Sequence, residues 1–185
     1  MEGAGKLVDD EELALAMKSF GPVAGRLLPA CPQMHGTGLL PSMGVHLGGG
    51  CIITLEGATF DAEELLRVVD KHKPTTIMVV GDSFAKPIVN ALNANPGKYD
   101  LSSIVSIGSS GVMWSLDVKR ELLKHIPQAM LSDGFSSSEA IVLVSSNMMA
   151  GAEVQTAKFV IGDRCKVFDE NDQPVEHGSG KSGLI

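Results

Sequence analysis

Between Ile104 and Glu139 the chain runs through two short apolar stretches, each opening into a loop of small polar residues, with an amphipathic segment between them. The pattern predicts strand, loop, helix, strand, loop. Such crossovers are right-handed in nearly all proteins, so the two strands should lie parallel, with both loops at the carboxyl edge of one sheet. Open α/β sheets bind ligands at that edge. Gly108-Ser109-Ser110-Gly111 and Asp133-Gly134-Phe135-Ser136-Ser137-Ser138-Glu139 are therefore expected as the two lips of one site.

The same alternation extends in both directions. Leu13 to Phe20 has the apolar content of a short helix stopped by Gly21-Pro22, and Leu27 to Cys31 reads as a brief buried strand. Leu39 to His46 is compatible with a helix, and Cys51 to Leu55 with a strand. Asp61 is the clearest helix start: an N-cap residue, Glu64 at the third helical position, and Phe60 placed to staple onto Leu65. Ala62, Leu65, Leu66 and Val69 then share one helical face, and Pro74 closes the segment. Thr75 to Val80 reads as a strand, Phe84 to Leu92 as a helix, Ile104 to Ile107 as a strand, and Leu116 to Ile126 as a helix ended by Pro127. This order predicts an α/β fold: a mostly parallel sheet with helices on both faces. Beyond Glu139 the runs at 140–144, 159–161 and 164–168 predict a small antiparallel hairpin region. Residues 1–150 are read as the α/β portion and 151–185 as the start of a β-rich subdomain.

Composition excludes several classes. A net charge of −7 without a basic stripe, and only 4% aromatics, argue against nucleic-acid binding. Three widely spaced cysteines form neither a disulfide framework nor a zinc motif. The acidic start lacks the plan of a signal peptide, and no apolar run approaches the roughly 18 residues of a membrane span, so a cytoplasmic protein is expected.

Four local motifs compete for chemistry. GSGKS at 178–182 resembles a phosphate loop, but that motif needs glycine where Val175 stands, and a flexible polar turn is the better reading. Gly81-Asp82-Ser83 after a strand suggests a GDS-type esterase with Ser83 as nucleophile. No histidine stands at a partner spacing, and Ser83 reads better as the cap of a helix beginning at Phe84. His35, between Met34 and Gly36, has no second metal donor nearby in sequence and reads as a solvated loop residue. The Asp133–Glu139 segment is more specific, because an aromatic ring, hydroxyls and a carboxylate at a strand end are what stacking on a base, contacting phosphate and holding Mg²⁺ require.

CPQMHGTG, IGSSG and DGFSSSE, in this order and at these intervals, resemble the adenylate-forming superfamily of acyl-CoA synthetases, luciferases and peptide-synthetase adenylation domains, most of all its bacterial fatty-acyl-CoA synthetases. The resemblance runs from about Leu28 to Ile185. It implies that His35 stands at the mouth of an acyl pocket, and that Gly108, Ser109 and Ser110 border adenine and acyl group through their backbone. Phe135 would stack on adenine, with Gly134 beside it, and Asp133 would meet the adenine amino group. Ser138 would contact the α-phosphate and Glu139 would hold Mg²⁺. Ser109, Ser110, Val112 and Ser136 depart from the residues usual in that family.

The implied cofactors are ATP/AMP, Mg²⁺ and coenzyme A, and the implied partner is a hydrophobic carboxylic acid, with self-association left open. The family's phosphate loop would precede residue 1, and its ribose-binding Asp and catalytic Lys would follow Ile185. The chain thus reads as a middle segment of an acid–CoA ligase, expected to be inactive alone. The rivals are the esterase and a non-catalytic domain keeping the same scaffold.

Overall fold

A computed structural model describes residues 25–135, 144–152, 159–161 and 165–184. In chain order it holds β1 (Arg26–Pro29), α1 (Gly36–Leu47), β2 (Cys51–Ile52), α2 (Ala62–His72), β3 (Thr76–Val79), α3 (Gly81–Ala94), β4 (Ser106–Ser110), α4 (Leu116–His125), β5 (Met130–Phe135), β6 (Val144–Met148) and β7 (Val160–Ile161). The helix expected over 13–20 and the apolar residues 140–143 lie outside the described residues.

The strands form one sheet in the order β2-β1-β3-β4-β5-β6-β7. Pairing is parallel from β2 through β5 and antiparallel for β5 with β6 and β6 with β7. The mostly parallel sheet read from the sequence is therefore present. The antiparallel strands extend the same sheet, since β5 pairs on both its sides.

Because β1 lies inside β2, the chain moves outward and then returns across the sheet. Right-handed connections then put α1 on one face and the later helices on the other. Accordingly α2 packs on α3 and α3 on α4, while α1 packs on β1, β2 and β3. Residues in register on neighbouring strands point to the same face. Ile77, Ile107, Leu131 and Met148 form such a row, and they meet Leu65, Leu66, Val69, Ile88, Leu92, Leu122 and Leu123 in one buried cluster. Each fully buried aliphatic side chain contributes about 1.5–3 kcal/mol.

Several boundaries differ from the sequence reading. Asp61 does cap α2, accepting from Glu63 N at 2.8 Å, but Glu64 turns away and accepts from Glu56 N at 2.7 Å and Gly57 N at 3.1 Å. Phe60 packs on Phe84, ring centroids 4.6 Å apart. Helix α3 starts at Gly81, so Ser83 is its third residue and not its cap. Helix α1 starts at Gly36 with His35 as N-cap, its Nδ1 accepting from Thr37 N at 3.3 Å. His35 is thus a helix cap at the exposed surface, where the sequence suggested a free loop residue.

The largest difference is in β4, which continues through Gly108, Ser109 and Ser110 instead of ending at Ile107. Small polar residues are poor strand formers alone, but here strands on both sides supply partners. A side chain at Gly108 would meet Met78 Sδ at 2.5 Å, and the buried Ser109 hydroxyl accepts from Gly81 N at 2.9 Å. Asp133-Gly134-Phe135 likewise belongs to β5, not to a loop.

Candidate functional site

Every parallel strand from β1 to β4 ends at one rim. At its centre Gly81 has φ +52, and its N–H points to Ser109 Oγ. A methyl group there would lie 2.6 Å from Val112 O and 2.7 Å from Met113 O. The β3–α3 turn and the β4–α4 loop are therefore in backbone contact. Asp82 fastens them further: its Oδ1 accepts from Ser115 N at 2.9 Å and from Ser115 Oγ at 3.1 Å, and its Oδ2 faces Lys86 Nζ at 3.1 Å. Ser115 is the N-cap residue of α4 but makes no capping bond with its own side chain; its hydroxyl and its N–H, one of the unpaired donors at the helix start, both go to Asp82 of the neighbouring helix.

This contact gives a pH prediction. Partial burial pushes the Asp82 carboxyl up, but the Ser115 N–H and hydroxyl and the Lys86 ammonium outweigh it, leaving its pKa below the ordinary value. A carboxyl depressed in the folded state adds stability above its unfolded pKa of about 3.9, and that stability is lost as pH falls through the folded value. Asp82→Ala is expected to lower unfolding free energy at neutral pH by about 1–2 kcal/mol, the magnitude of a lost cap. Urea titrations should show the gap between variant and native chain closing in acid.

His35 reaches the same rim. Gly111 has φ +92, and a methyl group on it would lie 3.9 Å from His35 Cε1 and 4.0 Å from Thr37 Oγ1. The end of the β4 segment thus rests against the start of α1. Met34 before His35, and Val112 and Met113 after Gly111, are exposed apolar side chains.

On the other side, Ser109 pairs with Asp133 and Ser110 with Gly134. Phe135, the last residue of β5, is 51% exposed. Gly108, Ser109, Ser110, Asp133, Gly134 and Phe135 therefore occupy two adjacent strands, with His35 across the rim beside Gly111. Ser138 and Glu139 lie outside the described residues. Among the described residues no group of three or more metal donors converges, and the one residue assigned to Mg²⁺ is Glu139.

Lys119 and Trp114, like Ser115 and Lys86 at the same rim, went unread in the sequence. Lys119, on the buried face of α4 with Val118, Leu122 and Leu123, contacts the Asp133 carboxylate. Its Nζ also stands 5.3 Å from the centroid of the Trp114 ring. The available signal was a lysine at a core position of an apolar helical pattern. Burial pushes the Asp133 carboxyl above the ordinary carboxylate range; Lys119 opposes that shift and the charge of Asp82 adds to it.

Among the described residues no histidine is hydrogen-bonded to Ser83, and the helix-end histidine is remote from it. Ser83 is exposed in the first turn of α3, at the carboxyl rim, whereas His125 ends α4 and bonds Asn93 Oδ1 at 2.8 Å. A helix of this length separates its two ends by about 15 Å. The glycines at 178 and 180 lie in an exposed turn with positive φ, as a polar turn requires.

An open, mostly parallel sheet whose strand ends gather a backbone-lined rim, an exposed aromatic and a half-buried carboxylate defines an α/β protein of the doubly wound kind, in which ligands bind at the carboxyl edge of the strands. The chain belongs to the AMP-binding enzyme family, whose model matches residues 11–185. It is 32% identical over 184 residues to the medium/long-chain-fatty-acid–CoA/3-oxocholest-4-en-26-oate–CoA ligase of Mycobacterium tuberculosis, covering 98% of this chain and 32% of the relative. It is 30% identical over 167 residues to the 3-oxocholest-4-en-26-oate–CoA ligase of Rhodococcus rhodochrous, covering 85% of this chain and 29% of that one. The chain thus spans about a third of the length of these curated relatives. Among solved structures, a long-chain-fatty-acid–CoA ligase from Archaeoglobus fulgidus superposes with a TM-score of 0.64 at 17% identity, over 90% of this chain and 35% of that one. The luciferase-like enzyme of the mealworm Zophobas morio gives 0.65 at 19% identity, over 89% and 40%. At these identities the structures establish the fold.

No helix among the described residues is long and apolar enough to cross a membrane.

Proposed function

We propose that this chain is the adenine- and acyl-facing part of an acid–CoA ligase that activates a hydrophobic carboxylic acid. In the first half-reaction the acid's carboxylate attacks the α-phosphorus of ATP, forming the acyl-adenylate and releasing pyrophosphate. In the second, the thiol sulfur of coenzyme A attacks the acyl carbon, and AMP leaves. The observation that carries this reading is the pairing of Ser109 and Ser110 with Asp133 and Gly134, which sets Phe135 at the strand end within the rim that His35 shares.

In this reading Phe135 stacks on adenine, Asp133 accepts from its amino group, and the backbone of Gly108 to Ser110 lines the nucleotide. Ser138 contacts the α-phosphate. Glu139 holds Mg²⁺, which when bound offsets charge on the phosphate oxygens. The acid lies toward His35, where Met34, Val112 and Met113 offer apolar surface. The names of the relatives, which include fatty and sterol side-chain acids, support an apolar acid. Residues 1–150 form the α/β part of this unit and 151–185 begin a β-rich part.

Positioning and charge neutralisation account for chemistry of this kind. In a ligase of the relatives' full length carrying this segment, Ser138→Ala and Glu139→Ala are expected to slow adenylate formation by about a hundredfold or more. Phe135→Ala should chiefly raise the KM for ATP, by about tenfold, the magnitude of one lost stacking contact. Pyrophosphate exchange measures all three, and unchanged exchange in every variant would refute the assignment. For the 185-residue chain itself, one stacked base contributes roughly 1–3 kcal/mol, while a millimolar complex needs about 4 kcal/mol. ATP should therefore bind no tighter than about millimolar, and micromolar binding by calorimetry would contradict this.

A further inference from the structure

Lys119 is the one charged side chain buried in the core among the described residues, 4% exposed. Taking an ammonium out of water is costly unless a matched carboxylate and other favourable contacts offset it. Here its Nζ contacts Asp133 Oδ2 and stands over the Trp114 ring, whose side chain is itself buried. The second oxygen of Asp133, Oδ1, receives no donor among the described residues. The titratable groups facing Asp133 are Lys119 from α4 and Asp82 from α3, and Lys86 lies against Asp82.

An ionised carboxylate only accepts hydrogen bonds, whereas a protonated one also donates. Which form Asp133 takes therefore decides what it can recognise. An anion suits the amino group of adenine and repels the carbonyl that hypoxanthine carries at the same ring position. A neutral carboxyl can serve either base.

We infer that Lys119 is a positioning and specificity-determining residue, which holds Oδ2 of Asp133 so that an anionic Oδ1 faces the base and selects an amino purine over its oxo analogue. This rests on the reading of Asp133 as the adenine-facing group. Burial raises the Asp133 carboxyl even with Lys119 present. Without the lysine, Asp133 should take up a proton at higher pH and lose its power to discriminate.

The test is an NMR titration of the isotopically labelled chain with AMP and IMP, each raised well above millimolar concentration, at neutral and mildly acid pH. The native chain should bind AMP about tenfold tighter than IMP, the scale of one hydrogen bond to a charged group. Lys119→Met should move that ratio toward one, more so at the mildly acid pH than at neutral pH, and shift the titration of the Asp133 carboxyl carbon to higher pH. Lys119→Arg should preserve both. Should Lys119→Met fail to fold, Lys119→Met/Asp133→Asn carries a neutral pair and should match Asp133→Asn alone. A native AMP/IMP ratio and an unmoved Asp133 titration in Lys119→Met would overturn the role of Lys119, as would a loss in the double variant beyond that of Asp133→Asn. AMP binding that is unaffected by Asp133→Ala would instead overturn the adenine-facing reading itself.

Discussion

Replacing Gly81 with alanine should lower the unfolding free energy of this chain by about 3 kcal/mol, combining the left-handed backbone penalty with overpacking. At φ +52 an L side chain already costs about 1–2 kcal/mol. The added methyl would also lie 2.6 Å and 2.7 Å from the carbonyl oxygens of Val112 and Met113. These are backbone atoms, so relief requires the whole β4–α4 loop to move. That movement would strain two fastenings of the rim, the Gly81 N–H to Ser109 and the Ser115 bonds to Asp82. Gly97 is the control: its φ is +71, yet no atom lies within 4 Å of an added methyl. Gly97→Ala should therefore cost only the conformational part, about 1–2 kcal/mol. Urea unfolding of the two variants separates conformation from crowding, and equal losses would mean that the loop yields freely.

Trp114→Ala should have the larger effect, about 3–5 kcal/mol. The ring is 1% exposed and sits between the Gly111 turn and the start of α4, in contact with the core and below the Lys119 ammonium. Its loss would leave a cavity beside a buried charge, removing both dispersion contacts and a cation–π contact of about 0.5–2 kcal/mol. Trp114→Phe should be much milder, because the indole N–H has no hydrogen-bond partner to lose among the described residues. As the only tryptophan, Trp114 also reports the transition directly. Native emission should be blue-shifted and move red on unfolding. A solvent-like native spectrum, or an alanine variant as stable as the native chain, would show that the ring is not packed as described.

Much of the fold was legible because its signals are local. The face of Ala62, Leu65, Leu66 and Val69, the Asp61 cap and the stop at Pro74 all act within a few residues, and α2 follows them almost to the residue. Strand β5 and helix α4 were similarly marked by apolar runs and a proline. Local signals failed where partners come from far along the chain. Ser83 was read as a cap because it precedes an apolar face, yet Gly81, able to take a positive φ, begins the helix earlier. Asp82 gives no sign in sequence that it caps a helix starting at Leu116.

The candidate site divides in the same way. CPQMHGTG, IGSSG and DGFSSSE could be found along the chain, because residue type and interval are properties of sequence. What the sequence by itself determined is the alternation that makes an open α/β sheet and the set of groups brought to its carboxyl edge. Only the tertiary structure decided that Ser109 spends its hydroxyl on Gly81, that His35 caps a helix beside Gly111, and that Lys119 is buried against Asp133. The reason is physical: a polar side chain leaves water only where a distant partner satisfies it, and burial and pairing depend on which strands become neighbours.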